Sequence, residues 1–382
     1  MDDTVCITGV NQKELADLVI PSEIDGKAVS EIADHSFDGC NANDIAIPAS
    51  VEAIGDNAFA NCKNLINVNV DENNTYYTSD HGILFNDKKT KLIYCPDGKK
   101  LGEIVISGEC GSEAEWRLYD SGVLLIAGKG KMADYEKAEQ QPWAEYRNNI
   151  TSVVFDGYIT HIGSNGFMDC NNVKYVILPE SVSTINWRAF DHCLSMNEIM
   201  IPDCVESISW GAFHHCDSLE KIVIGKSLRE LDPTAFNACK QVIKISVSDE
   251  NAYFTSVDEV LYDKSMTSLV LYPRGISEQF IIADTVSTVG KWACQSCKFS
   301  EIVLPTHVSE LRFASLSWCV NMTSITIPLS VTKIGENSFE HDDNLTDVYY
   351  AGTEQDWKNI KIDKKGNAAL LNATIHYQGE QQ

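Results

Sequence analysis

The chain has no apolar run approaching the roughly 18 residues that a membrane-spanning helix needs. It opens Met1-Asp2-Asp3, without the basic stretch and short apolar core of an export signal. Positive charge is scarce. Lysine and arginine number 30 against 55 aspartates and glutamates, a formal net charge of −25 in 382 residues. That balance argues against nucleic acid or an anionic membrane as partner, and it keeps an extended surface soluble. Catalytic signatures are missing too. There is no G-x-S-x-G, no Walker loop, no Rossmann fingerprint and no H-E-x-x-H. No pair of carboxylates stands out among 55 acids. Neither catalysis nor a cofactor is expected.

What the chain has in plenty is one phrase, repeated about every 22 residues. One copy reads Ile54-Gly55-Asp56-Asn57-Ala58-Phe59-Ala60-Asn61-Cys62, continuing through Leu65 to Val70. Ile185 to Phe190 with Cys193 repeats it, as do Ile208 to Phe213 with Cys216. The Phe falls at Phe37, Phe59, Phe167, Phe190, Phe213, Phe236 and Phe339, with Cys294 and Leu316 in that slot in two weaker copies. Three residues later comes Cys40, Cys62, Cys170, Cys193, Cys216, Cys239, Cys297 or Cys319; only the last copy differs, with Asp342. An L-x-x-I-x-I segment follows, often closed by Pro, as from Val173 to Pro179 and from Met196 to Pro202. This alternation predicts a short strand, which Pro ends because it has no N–H to give a ladder. The A-F-x-x-C stretch is expected to form one helical turn on the far side. Such a period is the mark of a solenoid, in which each coil shares its core with its neighbours. A solenoid also escapes the size limit that 382 residues would strain in a single core.

The pattern I-G-x-x-A-F-x-x-C-x-x-L-x-x-I-x-I-P-x-S-V resembles the BspA-like leucine-rich repeats of bacterial surface proteins. The run Asp17 to Lys27 resembles the family's usual first coil, and Val348 to Trp357 with Ala373 to Tyr377 its usual close. The resemblance covers nearly the whole chain, and many coils agree independently. It implies an α/β solenoid: a right-handed leucine-rich-repeat superhelix of short parallel strands, with β-hairpin inserts and a C-terminal cap. It implies a secreted or cell-surface protein, its signal trimmed from the chain given, with adhesion as the usual role. The expected partner is a protein or a glycan, with no membrane insertion. A structural spacer within a larger cell-wall protein is the competing reading.

Eight of the thirteen cysteines share one repeat position. Stacked coils would place them about 5 Å apart, within reach of a disulfide, but with side chains in parallel rather than facing each other. They read as free, buried thiols. Cys6, Cys95, Cys110, Cys204 and Cys294 show no pairing logic. Organisation follows the repeats: 1–106 as N-terminal repeats with a hairpin flap at 71–100, 107–149 as a non-repeat module that caps or joins, 150–347 as the main array with a second flap at 249–275, and 348–382 as a cap. Thr353-x-x-Asp356 opens a helix there as a capping box. Asp71-Glu72-Asn73-Asn74 and Asp249-Glu250-Asn251 invite a calcium reading, but an EF-hand loop would need Gly at Tyr76 and Glu at Gly82, so Asx turns are favoured. Cys294-x-x-Cys297 fills the Phe and Cys slots and needs no redox role.

Two surface stripes remain as candidate binding sites. On the strand side the outward slots run Tyr175, Glu198, Lys221, Lys244 in one column and Ile177, Met200, Val223, Ser246 in the next. Outward apolar side chains in consecutive coils mark an interaction patch, or a surface covered by a flap. On the other side Trp187 and Trp210 share a slot, with Asp191 and His214 four residues on and His192 and His215 after them. Exposed tryptophans suit sugar rings or protein partners. Asp191, His192, His214 and His215 offer a carboxylate and imidazoles to a metal. The plain alternative is tryptophans packed between coils and solvated histidines.

Overall fold

Each coil supplies two short strands, and each strand pairs in parallel with its counterpart one repeat away. This is seen in a computed structural model, which describes residues 4–9, 17–80, 82–87, 92–94, 102–276 and 281–379. On one side Glu198–Ile201, Lys221–Ile224 and Lys244–Val247 form a ladder with Met200, Val223 and Ser246 in register. Ile199 and Ile201 point inward while Glu198 and Met200 face out, as a period of two requires. Thr184–Ile185, Ser207–Ile208 and Glu230–Leu231 form a second ladder. The chain is therefore a parallel-strand solenoid.

The expected helical turn is absent. Along the A-F-x-x-C stretch the backbone makes a third cross-coil ladder: Arg188, Phe190 and His192 donate their N–H groups to Trp210, Ala212 and His214 at 3.1, 2.7 and 2.9 Å. Left-handed residues four apart make this possible, Arg188 and His192 in one coil (φ 51° and 60°), Gly211 and His215 in the next (61° and 55°). A right-handed helix cannot contain them. Among the described residues the α-helices are Glu354–Lys358 and Ala368–Asn372, both in the C-terminal cap.

The core is a stack of Phe rings. Phe167, Phe190, Phe213 and Phe236 lie 5.1, 5.3 and 5.0 Å apart, with rings within 9° of parallel. Every residue in the Phe and Cys slots is buried, and none of the eight repeat cysteines is bridged. Along the main array these thiols turn to the carbonyl of the Phe slot one coil back: Cys193 to Phe167 at 3.4 Å, Cys216 to Phe190 at 3.3 Å, Cys239 to Phe213 at 3.0 Å and Cys319 to Cys294 at 3.2 Å. Burial pushes the Cys193 and Cys216 thiols well above their ordinary pKa, so they stay protonated and inert.

The module at 107–149 closes the main array. Ile104–Glu109, Ala114–Tyr119 and Val123–Lys131 form an antiparallel sheet whose last strand runs parallel to Ser152–Ile162, the first strand of the array. Trp143 stacks on Phe167 at 5.3 Å and 12°, extending the ring ladder by one step, and Trp116 packs edge-on behind it at 5.6 Å. At the far end Thr353 and Asp356 form a capping box on Glu354–Lys358, while Thr374–Tyr377 pairs with Asp347–Tyr350.

The second insert is not a flap. Its strands Phe254–Val257, Val260–Asp263 and Ser268–Leu271 are built into the stack, the last pairing in parallel with Thr288–Val289. Leu261 and Leu271 pack into the core before it, and Val260, Tyr262 and Leu269 into the core after it. Arg274 is buried at the junction, donating to Phe236 O at 2.6 Å, Gln295 O at 2.5 Å and Asn237 Oδ1 at 2.9 Å. Both inserts open on a buried asparagine. The Asn74 and Asn251 amides each donate to two carbonyls of the previous coil and accept two backbone N–H groups. Part of the first insert, with Cys95, lies outside the described residues.

Candidate functional site

The strand-side column is partly covered. Ile83, from the first insert, packs on Val154 and Ile177, and Ile177 is only 8% exposed. Met200 and Val223 remain half-buried, lining a cleft of about 280 Å³ with Asn86 and Asp87 of the insert on its rim. Tyr175 pairs with Ser152 at the start of the ladder and is half-buried. Glu198 and Lys221 are joined by an ion pair at 3.3 Å. This side offers a cleft of mixed polar and apolar lining, with Glu180 and Asp203 beside Met200 and Val223, rather than an open apolar stripe.

The turn side is different. Trp187 and Trp210 stack on each other, ring centres 5.6 Å apart at 28°, and stay 40% and 41% exposed. The parallel register fixes this pair, because Arg188 N–H bonds to Trp210 O and holds the two coils in step. The patch spans two coils only, since the same slot holds Ser164 before it and Pro233 after it.

Arg188 was not legible as a site residue, and it organises the patch. Its guanidinium lies 5.4 and 5.0 Å from the Trp187 and Trp210 rings, a cation–π contact with both. Its Nε is 3.0 Å from Oδ2 of Asp191. The signal in the sequence is that Arg188 occupies a slot filled by Asn57, Asn165, Gly211 and Asn337 in other coils, an unusual residue for a left-handed position.

Asp191 does not sit on the surface beside Trp187, as a helical turn would have it. The left-handed residues on either side turn it inward, and it is fully buried. Its Oδ1 lies 2.7 Å from His192 Nδ1 and 3.2 Å from His214 Nδ1. A carboxylate only accepts, so both imidazoles place their proton on Nδ1. His214 lies alongside Trp210, ring centres 6.4 Å apart. The structure thus gathers Asp191, His192 and His214 at one point, all partly or wholly buried. His215 is not a partner of Asp191, although its ring packs against those of His214 and His192, centres 4.3 and 4.6 Å away. Its Nδ1 lies 3.7 Å from Asp217, and burial, reinforced by the imidazoles of His214 and His192, lowers its pKa from the ordinary value.

The architecture has a counterpart among solved structures. A leucine-rich repeat protein from Eubacterium ventriosum is 24% identical, with 71% of this chain and 78% of that one aligned at a TM-score of 0.59. A leucine-rich cell surface protein from Faecalibacterium prausnitzii is 18% identical over 95% of this chain and 94% of that one, at a TM-score of 0.36. No curated protein gives a significant match. The model of the BspA type leucine rich repeat region matches residues 11–105, 144–265 and 274–363, in six copies. With the repeat register, the stacked core and this match over most of its length, the chain belongs to the BspA-type leucine-rich-repeat family.

Proposed function

We propose that this chain is a binding protein displayed outside a bacterial cell, and that it takes a protein or glycan ligand on the patch formed by Trp187, Arg188 and Trp210. The observation that carries this reading is the pair of stacked indoles, exposed on the turn side and fixed from below by the Arg188–Asp191 ion pair. Rigid aromatic surface with a cation beside it is what sugar rings and the aromatic or acidic side chains of partner proteins recognise. Little side-chain freedom is lost on binding, because the patch is already ordered. The half-covered column of Ile177, Met200 and Val223 is the weaker candidate. The role is adhesive rather than catalytic, and the extracellular setting follows the family's character.

An array of host and bacterial glycans and proteins, probed with the parent chain, tests the proposal. A saturable ligand should appear, and Trp187→Ala with Trp210→Ala should weaken it by roughly 30-fold or more, the scale of an interface hot spot. A ligand held as tightly by the double variant would move the site elsewhere. The absence of any saturable ligand would favour a spacer.

A further inference from the structure

We propose that Asp191, His192 and His214 form a site for one divalent transition-metal ion of the zinc class. Their ligand atoms, one carboxylate oxygen and two imidazole nitrogens, all lie within 4.8 Å of one another. They come from two adjacent coils that the backbone bond from His192 N–H to His214 O (2.9 Å) holds in register. Two imidazoles and a carboxylate are the donors that zinc and its neighbours accept, whereas calcium and magnesium require oxygens.

The distances suit an ion. Ligand atoms on a tetrahedral zinc stand roughly 3.3 Å apart, given metal–ligand bonds of about 2 Å. Asp191 Oδ1 lies 2.7 and 3.2 Å from the two Nδ1 atoms, so the edge to His192 must open by about 0.6 Å to admit the metal, while the edge to His214 is already close to that spacing. Each neutral imidazole then carries its proton on Nε2 instead of Nδ1, exchanged through solvent, and no net proton need leave. His192 and His214 are only partly buried, which leaves the ion a way in.

The surroundings are those of a supported ligand. Ligating carboxylates are held by partners on their other oxygen, and Arg188 Nε stands 3.0 Å from Oδ2 of Asp191. Arg188 is in turn held by the Trp187 and Trp210 rings. Oδ1 is thereby left for the ion, and the fully buried Asp191 has nowhere to swing. This inference does not depend on the ligand proposal: the metal alone is the probe, and its binding stands or falls without any array result.

The test is calorimetry of the EDTA-stripped, gel-filtered chain with zinc chloride at pH 7.5, with cobalt(II) as a spectroscopic substitute. One equivalent per chain should bind. His192→Gln and His214→Gln should each weaken it by at least about tenfold. His307→Gln, an exposed histidine on a separate coil, should leave it within about threefold. Zinc should raise the melting temperature of the parent and not that of the His192→Gln, His214→Gln double variant. Both histidines are partly exposed, so these variants should fold; circular dichroism checks that they do. Failure of the parent to bind zinc stoichiometrically would overturn the proposal, leaving a hydrogen-bonded trio. Unchanged binding in the double variant would overturn it equally, assigning the ion to other groups on an acidic surface.

Discussion

The sulfur of Cys193 sits 3.4 Å from the Phe167 carbonyl, in a slot where seven other coils also place Cys. A thiol fits because it packs like an apolar group and donates only weakly. Cys193→Ser should lower stability by about 1–3 kcal/mol in chemical denaturation, since a hydroxyl costs more to bury. A thiol reagent should leave the eight repeat cysteines untouched in the native chain and label them after unfolding. Asp342 is the exception that tests the slot. It accepts the Cys319 N–H at 2.7 Å, yet its Oδ2 has no hydrogen-bond partner, and burial pushes its pKa from 3.8 to about 8. The folded state therefore binds a proton that the unfolded state releases between about pH 4 and pH 8. Stability tied to this group is full below that window and is lost as pH rises through it. Asp342→Asn should flatten the dependence, gaining on the parent by at least about 1 kcal/mol between pH 5 and pH 8. The buried cysteines could be read from the sequence because eight copies agree. The inward turn of Asp191 is missed when the stretch is read as a helical turn, although Asn, Gly and His recur in the two left-handed slots flanking it, as at Asn165, Gly211 and His215.

At the scale of elements, strands and ends were legible and the inserts were not. The I-x-I alternation and its closing Pro marked strands such as Glu198–Ile201, and Thr353 with Asp356 marked the cap helix. The second insert looked like a flap because a hairpin reads the same whether it hangs off a solenoid or lies within it. What decides is burial on both faces, seen in Leu261 and Tyr262 packing into opposite cores. Arg274 holds that junction by donating to the Phe236 and Gln295 carbonyls and to Asn237 Oδ1, which come from both sides of the insert. Arg274→Met should cost about 2–5 kcal/mol in denaturant melts, because it leaves buried acceptors unmet. A loss below about 0.5 kcal/mol would mean the junction is held by its strands alone. Trp143 was visible only as part of a segment outside the repeat. Stacked on Phe167, it continues the ring ladder, and Trp143→Ala should cost about 3–5 kcal/mol by opening a cavity at the end of the core.

Over the whole molecule, the repeat that builds the core also decides which surfaces are available. The strand side carries Met200 and Val223 in register, but the first insert closes over Ile177. The turn side presents Trp187 and Trp210 to solvent with Arg188 between them and the buried Asp191. A net charge of −25 opposes the approach of phosphate backbones. The two faces were both readable as columns from the register alone. Which one is open was not, because the insert's place over Ile177 is a long-range contact with no local signature. The direct measurement is titration of an array-identified ligand against three chains: the parent, Met200→Glu, and Trp187→Ala with Trp210→Ala. Binding at the turn side predicts that Met200→Glu matches the parent while the tryptophan variant loses at least about 2 kcal/mol. Full affinity in the tryptophan variant, with loss in Met200→Glu, would contradict it and place the site in the strand-side cleft.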